Sequence, residues 1–292
     1  MTDKKQPEPT HLQPKFNGVT NILSVDIEDY YQVEGFRRRI DHTAWERYES
    51  RFHLGLEWLL QILDSKRVKA TFFILGWLAE KYPDWVAEIN RRGHEIGVHG
   101  WRHRRVDLLS PEEFRRDVEK TMGLLKELGV DNLLGHRAPS FSVTRQSQWA
   151  WDIIRDCGLK YDASLSAKFF PAKSEPWTSD NPGPQFTQIG NGEKLSLFPQ
   201  AYLPVFDHIP FAGGGYFRLY PYWLTRWGIR RWNQKGVPVM VYVHPWEFDP
   251  DQPRLKVNLS RSFKHYVNLD MNREKFAHLL QDFQFGPCRD LL

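Results

Sequence analysis

Two histidines stand four residues apart in the segment His99-Gly100-Trp101-Arg102-His103. On a helical turn, side chains at i and i+4 face the same way, so such a pair can bind one metal ion. A pair of this kind that stands alone is more often incidental. This pair, however, lies at the end of residues 94–99, which we predict to be a strand, so both imidazoles are expected at a strand's carboxyl end.

A short apolar run, residues 21–27, ends in acids, and three carboxylates stand within four residues there: Asp26, Glu28 and Asp29. Clustered acids are costly unless a cation or an arginine lies among them. The competing interpretation is a helix cap flanked by solvated acids. Combined with the two histidines, the acids make a three-ligand set that leaves room for water. That arrangement is typical of a hydrolytic metal site rather than a structural one.

Two further polar side chains also end apolar runs. Arg137 lies in the segment GHRAPS, and an arginine at a strand end can hold a carboxylate ionised and oriented. His244 ends the run VPVMVYVH. A lone histidine at such a position is more often a satisfied core residue. Its place beside the other three strand ends favours a role in acid–base chemistry.

The elements that position these residues alternate between strand and helix, which indicates an α/β fold. The best helix start is Ser110-Pro111-Glu112-Glu113, where a serine N-cap, a first-turn proline and a glutamate three residues on form a capping box. Every candidate residue falls at a strand's carboxyl end, where parallel β/α barrels carry their active sites. The predicted strands are 21–27, 69–76, 94–99, 133–137, 159–162 and 237–244, and the predicted helices are 44–65, 78–92, 110–128, 144–156, 220–234 and 272–283.

The sequence resembles the NodB-homology polysaccharide deacetylases, carbohydrate esterase family 4, densely over about residues 20–165 and again at 237–248. ATFFILGW resembles the second strand of that family, HEIGVHGWRH its metal-binding motif, GHRAP its RxP motif and VYVHPWE its late strand. SVDIEDYYQVEGF and the Tyr- and Trp-rich C-terminal part more closely resemble a subgroup encoded with exopolysaccharide biosynthesis and exosortase-type sorting loci.

This resemblance implies a distorted (β/α)7-type barrel. It implies one deacetylase domain over residues 20–292, while the polar, proline-containing composition of residues 1–19 predicts a flexible arm there. A family-specific C-terminal extension, about 210–292, would belong to the same barrel.

The resemblance also implies a divalent metal, for which zinc is the first choice, held by His99, His103 and one carboxylate. The family's common first motif is TFDDG, whereas here Asp26 is followed by Ile27, Glu28 and Asp29. Asp26 matches the catalytic base. Glu28 shares a strand face with Asp26, and one branch of the family spaces its acids as DxD, whereas Asp29 would serve if the chain turned sharply. Both remain candidates for the ligand.

In the implied reaction, the metal polarises an amide carbonyl and lowers the pKa of water. Asp26, kept ionised by Arg137, takes the proton. His244 protonates the leaving amine, and Asp162 orients His244, although a strand-end cap is nearly as good an interpretation of Asp162.

The same resemblance implies a site for the oxyanion of the tetrahedral intermediate. Backbone N–H groups after Pro139, near Ser140 and Phe141, are expected to bind it. The expected substrate is an N-acetylated oligo- or polysaccharide.

Composition excludes several classes of protein. A net charge of +4 over 292 residues and the lack of a dense basic run beyond Arg37-Arg38-Arg39 argue against nucleic acid as a partner.

Two distant cysteines, Cys157 and Cys288, indicate free thiols rather than a disulfide or zinc knuckle. We find neither a signal-peptide h-region nor an 18-residue apolar stretch, so no membrane span and a cytoplasmic protein are expected. The sequence is compatible with a homo-oligomer.

Two other functions compete with deacetylation. The first is hydrolysis of a small cyclic amide, as in allantoinase-like members of the superfamily. Those members tend to lack the complete histidine pair, so His99 and His103 argue against it. The second is an inactive carbohydrate-binding barrel, since fold does not determine function. A binding role would not require acid, histidine pair, arginine and late histidine together.

Overall fold

The computed structural model describes residues 18–166, 169, 183–188, 192–205 and 209–292. The predicted N-terminal arm, residues 1–19, lies almost wholly outside the described residues. No helix among the described residues is both long and apolar enough to cross a membrane. Cys157 and Cys288 are free thiols, and only Cys288 is buried.

A curled, mainly parallel sheet forms the centre of the molecule. Seven strands run parallel in the order β7-β5-β4-β3-β2-β1-β8, with β6 antiparallel on the β7 edge and β9 beside the start of β1. Among the described residues no ladder joins β7 to β8, so the barrel stays open. This confirms the predicted distorted (β/α)7-type barrel. The strands are β1 (Thr20–Ile27), β2 (Thr71–Ile74), β3 (Glu95–Val98), β4 (Gly135–His136), β5 (Tyr161–Leu165), β6 (Gln185–Gln188), β7 (Lys194–Pro199), β8 (Met240–Val243) and β9 (Gln284–Gly286).

Helices cover the outer face of this sheet. The predicted capping box is present, because Ser110 accepts a hydrogen bond from Glu113 N–H and the Glu113 side chain accepts one from Ser110 N–H. The helices are α1 (Phe52–Lys66), α2 (Gly76–Lys81), α3 (Pro83–Arg91), α4 (Pro111–Glu127), α5 (Trp149–Asp156), α6 (Gly214–Leu219), α7 (Tyr222–Asn233), α8 (Leu259–Tyr266) and α9 (Leu269–Asp282).

The predicted helices differ from the structure in several places. The single helix predicted over 78–92 is two helices, because Pro83 lacks the N–H that an uninterrupted helix would need and instead begins α3. The helix predicted over 44–65 begins only at Phe52, after a 3-10 helix over His42–Arg47. Helices α6 and α8 were not predicted, since α6 begins within three consecutive glycines and α8 is only eight residues long.

Burial of the strands on both faces explains their apolar runs. In β1 every residue after Thr20 is buried, and β2 and β3 are buried throughout. Because the seven strands are parallel, their carboxyl ends meet at one edge of the sheet. The polar residues predicted from four separate motifs therefore come together there.

Candidate active site

A cavity of about 430 Å³ opens at this carboxyl edge of the sheet. Its walls combine carboxylates and imidazoles with aromatic rings, which suits a ligand that has both polar and apolar faces. The lining residues are Asp26, Glu28, Val33, Glu34, His103, Ser140, Phe141, Ser166, Phe169, Gln200, Pro210, Tyr216, Tyr242 and His244.

Glu28, His99 and His103 converge at the base of the cavity. Glu28 Oε1 lies 3.0 Å from His99 Nε2 and 2.9 Å from His103 Nε2, and all three side chains are buried. His99 Nδ1 lies 2.8 Å from the carbonyl oxygen of Arg137. Because that carbonyl can only accept, Nδ1 carries the proton and Nε2 keeps its lone pair for a metal. Burial acts to raise the pKa of Glu28, but the neighbouring charges of His103 and His244 hold it well below its usual value.

The spacing predicted a helical turn for the two histidines, but the structure has no helical turn there. Residues 99–103 form an irregular loop in which Gly100 has φ +74° and His103 has φ +49°. A side chain at position 100 would be strained by this φ and would also meet the Asp117 carboxylate, whose Oδ2 accepts the N–H of Trp101 at 2.8 Å. The loop is therefore built to turn His103 back toward His99.

The structure separates the two candidate carboxylate ligands. Asp29 is directed away from the histidines, since its Oδ1 accepts the N–H of Tyr30 and its Oδ2 accepts Ser50 Oγ–H at 2.7 Å and Arg51 N–H at 2.9 Å. These bonds tie the chain after β1 to the start of α1. Glu28 is the acid that meets the histidines.

Asp26 is held by Arg137. Arg137 Nη1 donates to Asp26 Oδ1 at 2.6 Å and to Ser24 Oγ at 2.8 Å. The guanidinium is fully buried, donates from Nε to the Ala163 carbonyl and stacks over the Phe73 ring. This rigid, charged contact fixes the direction of the carboxylate.

The turn after Arg137 carries two consecutive residues in the left-handed region, Ser140 at φ +57° and Phe141 at φ +52°. Both line the cavity beside Pro139. The N–H of Phe141, however, donates to the Ala138 carbonyl at 3.0 Å. Of the two predicted oxyanion donors, Phe141 is therefore already engaged, and Ser140 is left as the candidate.

His244 faces the two acids from the opposite wall. Its Nε2 lies 3.9 Å from both Asp26 Oδ2 and Glu28 Oε1. Its Nδ1 lies 3.5 Å from Glu247 Oε1, and its backbone N–H donates to Glu247 Oε2 at 3.2 Å. Burial acts to lower the pKa of His244, but the charges of Glu28, Glu247 and Asp26 raise it to about 9.

Asp162 does not contact His244, so the predicted orienting role has no contact to support it. Its carboxylate lies 2.8 Å from His136 Nδ1 and accepts Trp151 Nε1–H at 3.0 Å and Ser164 Oγ–H at 2.7 Å. Ser164 Oγ in turn accepts the N–H of Ala138 at 2.7 Å. Asp162 thus supports the turn after β4.

Glu247 takes the place beside His244 that was predicted for Asp162, and it is itself held by Arg218 of α6. Arg218 Nε donates to Glu247 Oε1 at 3.1 Å, and both side chains are buried. Burial acts to raise the pKa of Glu247, but the charge of Arg218 and the neighbouring His244 together lower it. The spacing of Glu247 three residues after His244 could have revealed it, but Arg218 has no comparable sequence signal.

The donor set fits a metal ion. In Glu28, His99 and His103, one donor atom from each side chain lies within 4.8 Å of the others, and both imidazoles offer Nε2. Asp26, Glu28 and His244 form a second such group. Because Asp26 is already paired with the Arg137 cation, the first set is the better metal site.

Family comparison places the histidine pair in a known context. Residues 55–161 match the family model described as Polysaccharide deacetylase. The chain contains a polysaccharide deacetylase domain. The matched segment of this domain includes His99, His103 and Arg137, whereas Asp26 and His244 lie outside it and reach the site through β1 and β8. Residues 169–292 match a second model, Domain of unknown function DUF3473.

One curated relative of the deacetylase domain is a peptidoglycan-N-acetylglucosamine deacetylase from Bacillus cereus. It is 41% identical over 76 residues, which are 25% of this chain and 28% of the relative. The chain thus spans less than a third of that relative's length.

Two solved structures share the fold of the deacetylase domain. One is from Mycobacterium smegmatis and is assigned as a polysaccharide deacetylase. It is 20% identical, covers 94% of this chain and 89% of its own, and has a TM-score of 0.60. The other is Puue allantoinase, which is 15% identical, covers 99% of this chain and 96% of its own, and has a TM-score of 0.57. At these identities the likeness concerns the fold alone.

Proposed function

We propose that this chain is a metal-dependent N-deacetylase that removes acetyl groups from amino-sugar residues of a polysaccharide or its precursor. The observation that carries the proposal is the convergence of three functional groups on one cavity. They are a carboxylate paired with an arginine, a carboxylate–histidine–histidine set, and a separate histidine on the facing wall. Hydrolysis of an amide needs a base, an electrophile and an acid, and these groups supply one candidate for each.

Glu28, His99 and His103 would hold the metal. Two imidazoles with one carboxylate suit zinc better than magnesium, which prefers an all-oxygen shell. When bound, a divalent metal polarises a carbonyl oxygen and makes water more acidic. The hydrogen bond from His99 Nδ1 to the Arg137 carbonyl orients the first imidazole for this task.

Asp26 is the base that takes a proton from the attacking water. Its bond to Arg137 fixes the direction of the carboxylate and engages Oδ1, which makes Asp26 a poorer metal ligand than Glu28. Ser140 N–H is the backbone donor for the developing oxyanion. His244 gives a proton to the nitrogen of the departing amine, and Glu247 holds the imidazole in place.

Acetate release from N-acetylated oligosaccharides tests this proposal directly. We expect release that stops with a chelator and returns when zinc is added, and about one metal ion per chain by elemental analysis. His99→Ala and His103→Ala should each abolish both metal binding and activity. Hydrolysis of allantoin with no acetate release from any sugar would overturn the proposal, and so would full activity in the absence of metal.

We also infer that residues 20–292 act as one domain, in which the C-terminal region completes the barrel. The pairing of β8 with β1 supports this, since Ile22 to Val25 pair with Met240 to Val243. A fragment of residues 20–165 should then fail to fold alone, as measured by circular dichroism. The finer assignment, to exopolysaccharide synthesis, rests on the likeness of residues 24–36 to that subgroup.

A further inference from the structure

A second cavity adjoins the active-site cavity on the side of α6 and α8. It measures about 330 Å³, and Val33, Tyr216 and Tyr242 line both cavities. The two cavities therefore share part of their walls, so a ligand long enough to occupy both can bridge them. We call the second cavity the α8 groove.

The walls of the α8 groove are aromatic. Tyr216 and Phe263 are 41% and 58% exposed, while Trp246 is buried with its ring stacked on His265 at 4.1 Å. The Trp246 ring is covered by His265 and by the Arg218 guanidinium, so it forms the floor of the groove. The exposed rings of Tyr216 and Phe263 are the ones that suit the apolar face of a sugar ring.

The charge of the α8 groove is opposite to that of the active-site cavity. Its lining includes Arg218, Arg261 and Lys264 and no carboxylate among the described residues, whereas Asp26 and Glu28 line the active-site cavity. Arg218 is engaged by Glu247. Neither Arg261 nor Lys264 has a carboxylate within 4.0 Å in the part of the chain that the structure describes. Two unpaired cations therefore face a concave surface.

The groove is preorganised because buried Arg218 anchors α8. Its Nη1 donates to the carbonyls of His265 at 2.6 Å and Val267 at 3.0 Å, and its Nη2 donates to that of Lys264 at 3.2 Å. These bonds hold the C-terminal end of α8 against the groove. The two cations thus project from an element that is tied to the same Glu247 that neighbours His244.

We propose that the α8 groove binds a negatively charged sugar residue next to the acetylated one, so that the substrate is an acidic N-acetylated polysaccharide. This rests on the proposed function. A membrane surface fits less well, because the cations lie in a concave groove continuous with the active-site cavity rather than on a protruding face.

Binding to two defined sugars tests the proposal. We would compare the hyaluronan hexasaccharide, in which glucuronate alternates with N-acetylglucosamine, with the neutral chitin hexasaccharide by calorimetry, using the zinc-loaded Asp26→Asn chain to prevent turnover. We expect the acidic sugar to bind about 5- to 10-fold more tightly, which corresponds to about 1 kcal/mol for two half-exposed charge contacts. Arg261→Gln/Lys264→Gln should remove this preference and leave chitin binding unchanged.

The matched control is Lys126→Gln/Lys160→Gln, which removes two exposed positive charges from the opposite end of the sheet, before β4 and β5. The control should keep the preference. Equal binding of the two sugars by the parent chain, or an equal loss in the control, would overturn the proposal. Binding to phosphatidylglycerol vesicles that is lost only in the α8 variant would also overturn it, in favour of membrane docking.

Acetate release is measured separately on the unsubstituted chain with both hexasaccharides. Failure of the proposed function would appear there as a lack of product, whereas failure of the groove proposal would appear only as a lack of preference in binding.

Discussion

Arg137 Nη1 lies 2.6 Å from Asp26 Oδ1, and both side chains are buried at the carboxyl edge of the sheet. The pair joins β1 to the end of β4 across the interior of the barrel. Arg137 also donates to Ser24 Oγ and to the Ala163 carbonyl, and these bonds leave the guanidinium little freedom. The same contact therefore bears on both stability and chemistry.

Removing the arginine should cost stability. Arg137→Ala leaves the Asp26 carboxylate buried without its cation, and breaking a buried pair costs about 3–5 kcal/mol. Urea unfolding would measure this loss. Arg137→Met combined with Asp26→Asn should be more stable than Arg137→Ala, because no unpaired charge remains. Equal stability of the two variants would contradict this account.

Removing the base should affect turnover and leave metal binding intact. Asp26→Asn preserves the shape of the side chain but cannot accept a proton, so kcat should fall by about 10²- to 10⁴-fold. Elemental analysis of the same sample should still find the metal. Loss of metal as complete as in His99→Ala would instead make Asp26 a ligand.

The two acids after Asp26 should respond in opposite ways. Glu28→Gln should lose the metal, because an amide oxygen is a much weaker ligand than a carboxylate. Asp29→Asn should keep the metal and lose about 1–2 kcal/mol of unfolding free energy, since it weakens the bonds to Ser50 and Arg51. Metal content and urea unfolding, measured on both variants, would reveal a reversal of this pattern.

Glu247 and Asp162 form a matched pair of buried carboxylates, of which only Glu247 neighbours His244. Glu247→Gln should lower kcat of the folded, metal-loaded enzyme by about 10-fold or more, because the imidazole loses its anionic neighbour. Asp162→Asn should lower the melting temperature and have a much smaller effect on kcat. A larger loss of kcat in Asp162→Asn would restore the original prediction for that residue.

His94 should make the protein sensitive to mild acid. Burial, assisted by the charge of Lys69, lowers its pKa to about 4. Between pH 6.5 and 4, the unfolded chain therefore binds a proton that the folded protein does not, and stability falls as pH falls. By pH 4.5 the contribution of His94 to this loss, relative to pH 7.5, should reach about 2–3 kcal/mol.

His94→Gln is the control for this effect, because glutamine does not titrate and can still accept the N–H of Ala70 that His94 Nδ1 accepts at 3.3 Å. Its unfolding free energy should decline less steeply over the same pH range. Parallel curves for the two proteins would exclude His94 as the source.

The unpredicted details of the fold concern segments with weak local signals. Apolar runs identify the strands because parallel strands are buried on both faces, and the capping box at Ser110 marks the start of α4 by local hydrogen bonds alone. Helix α8 has an N-cap at Asn258, but it is only eight residues long, Leu259 and Phe263 remain exposed, and its attachment depends on Arg218, more than forty residues earlier in the chain. Contacts between segments so far apart leave no local pattern.

By itself, the sequence determined which side chains reach the carboxyl edge of the sheet, because the end of an apolar run marks the end of a strand. Asp26, His99, Arg137 and His244 follow from this rule. The tertiary structure alone decided which groups those side chains meet. Glu28 rather than Asp29 faces the histidines because the Asp29 carboxylate is bound by Ser50 and Arg51, and Glu247 rather than Asp162 neighbours His244 because Asp162 is held by His136. Such choices depend on side-chain directions set by distant partners, and spacing along the chain does not encode them.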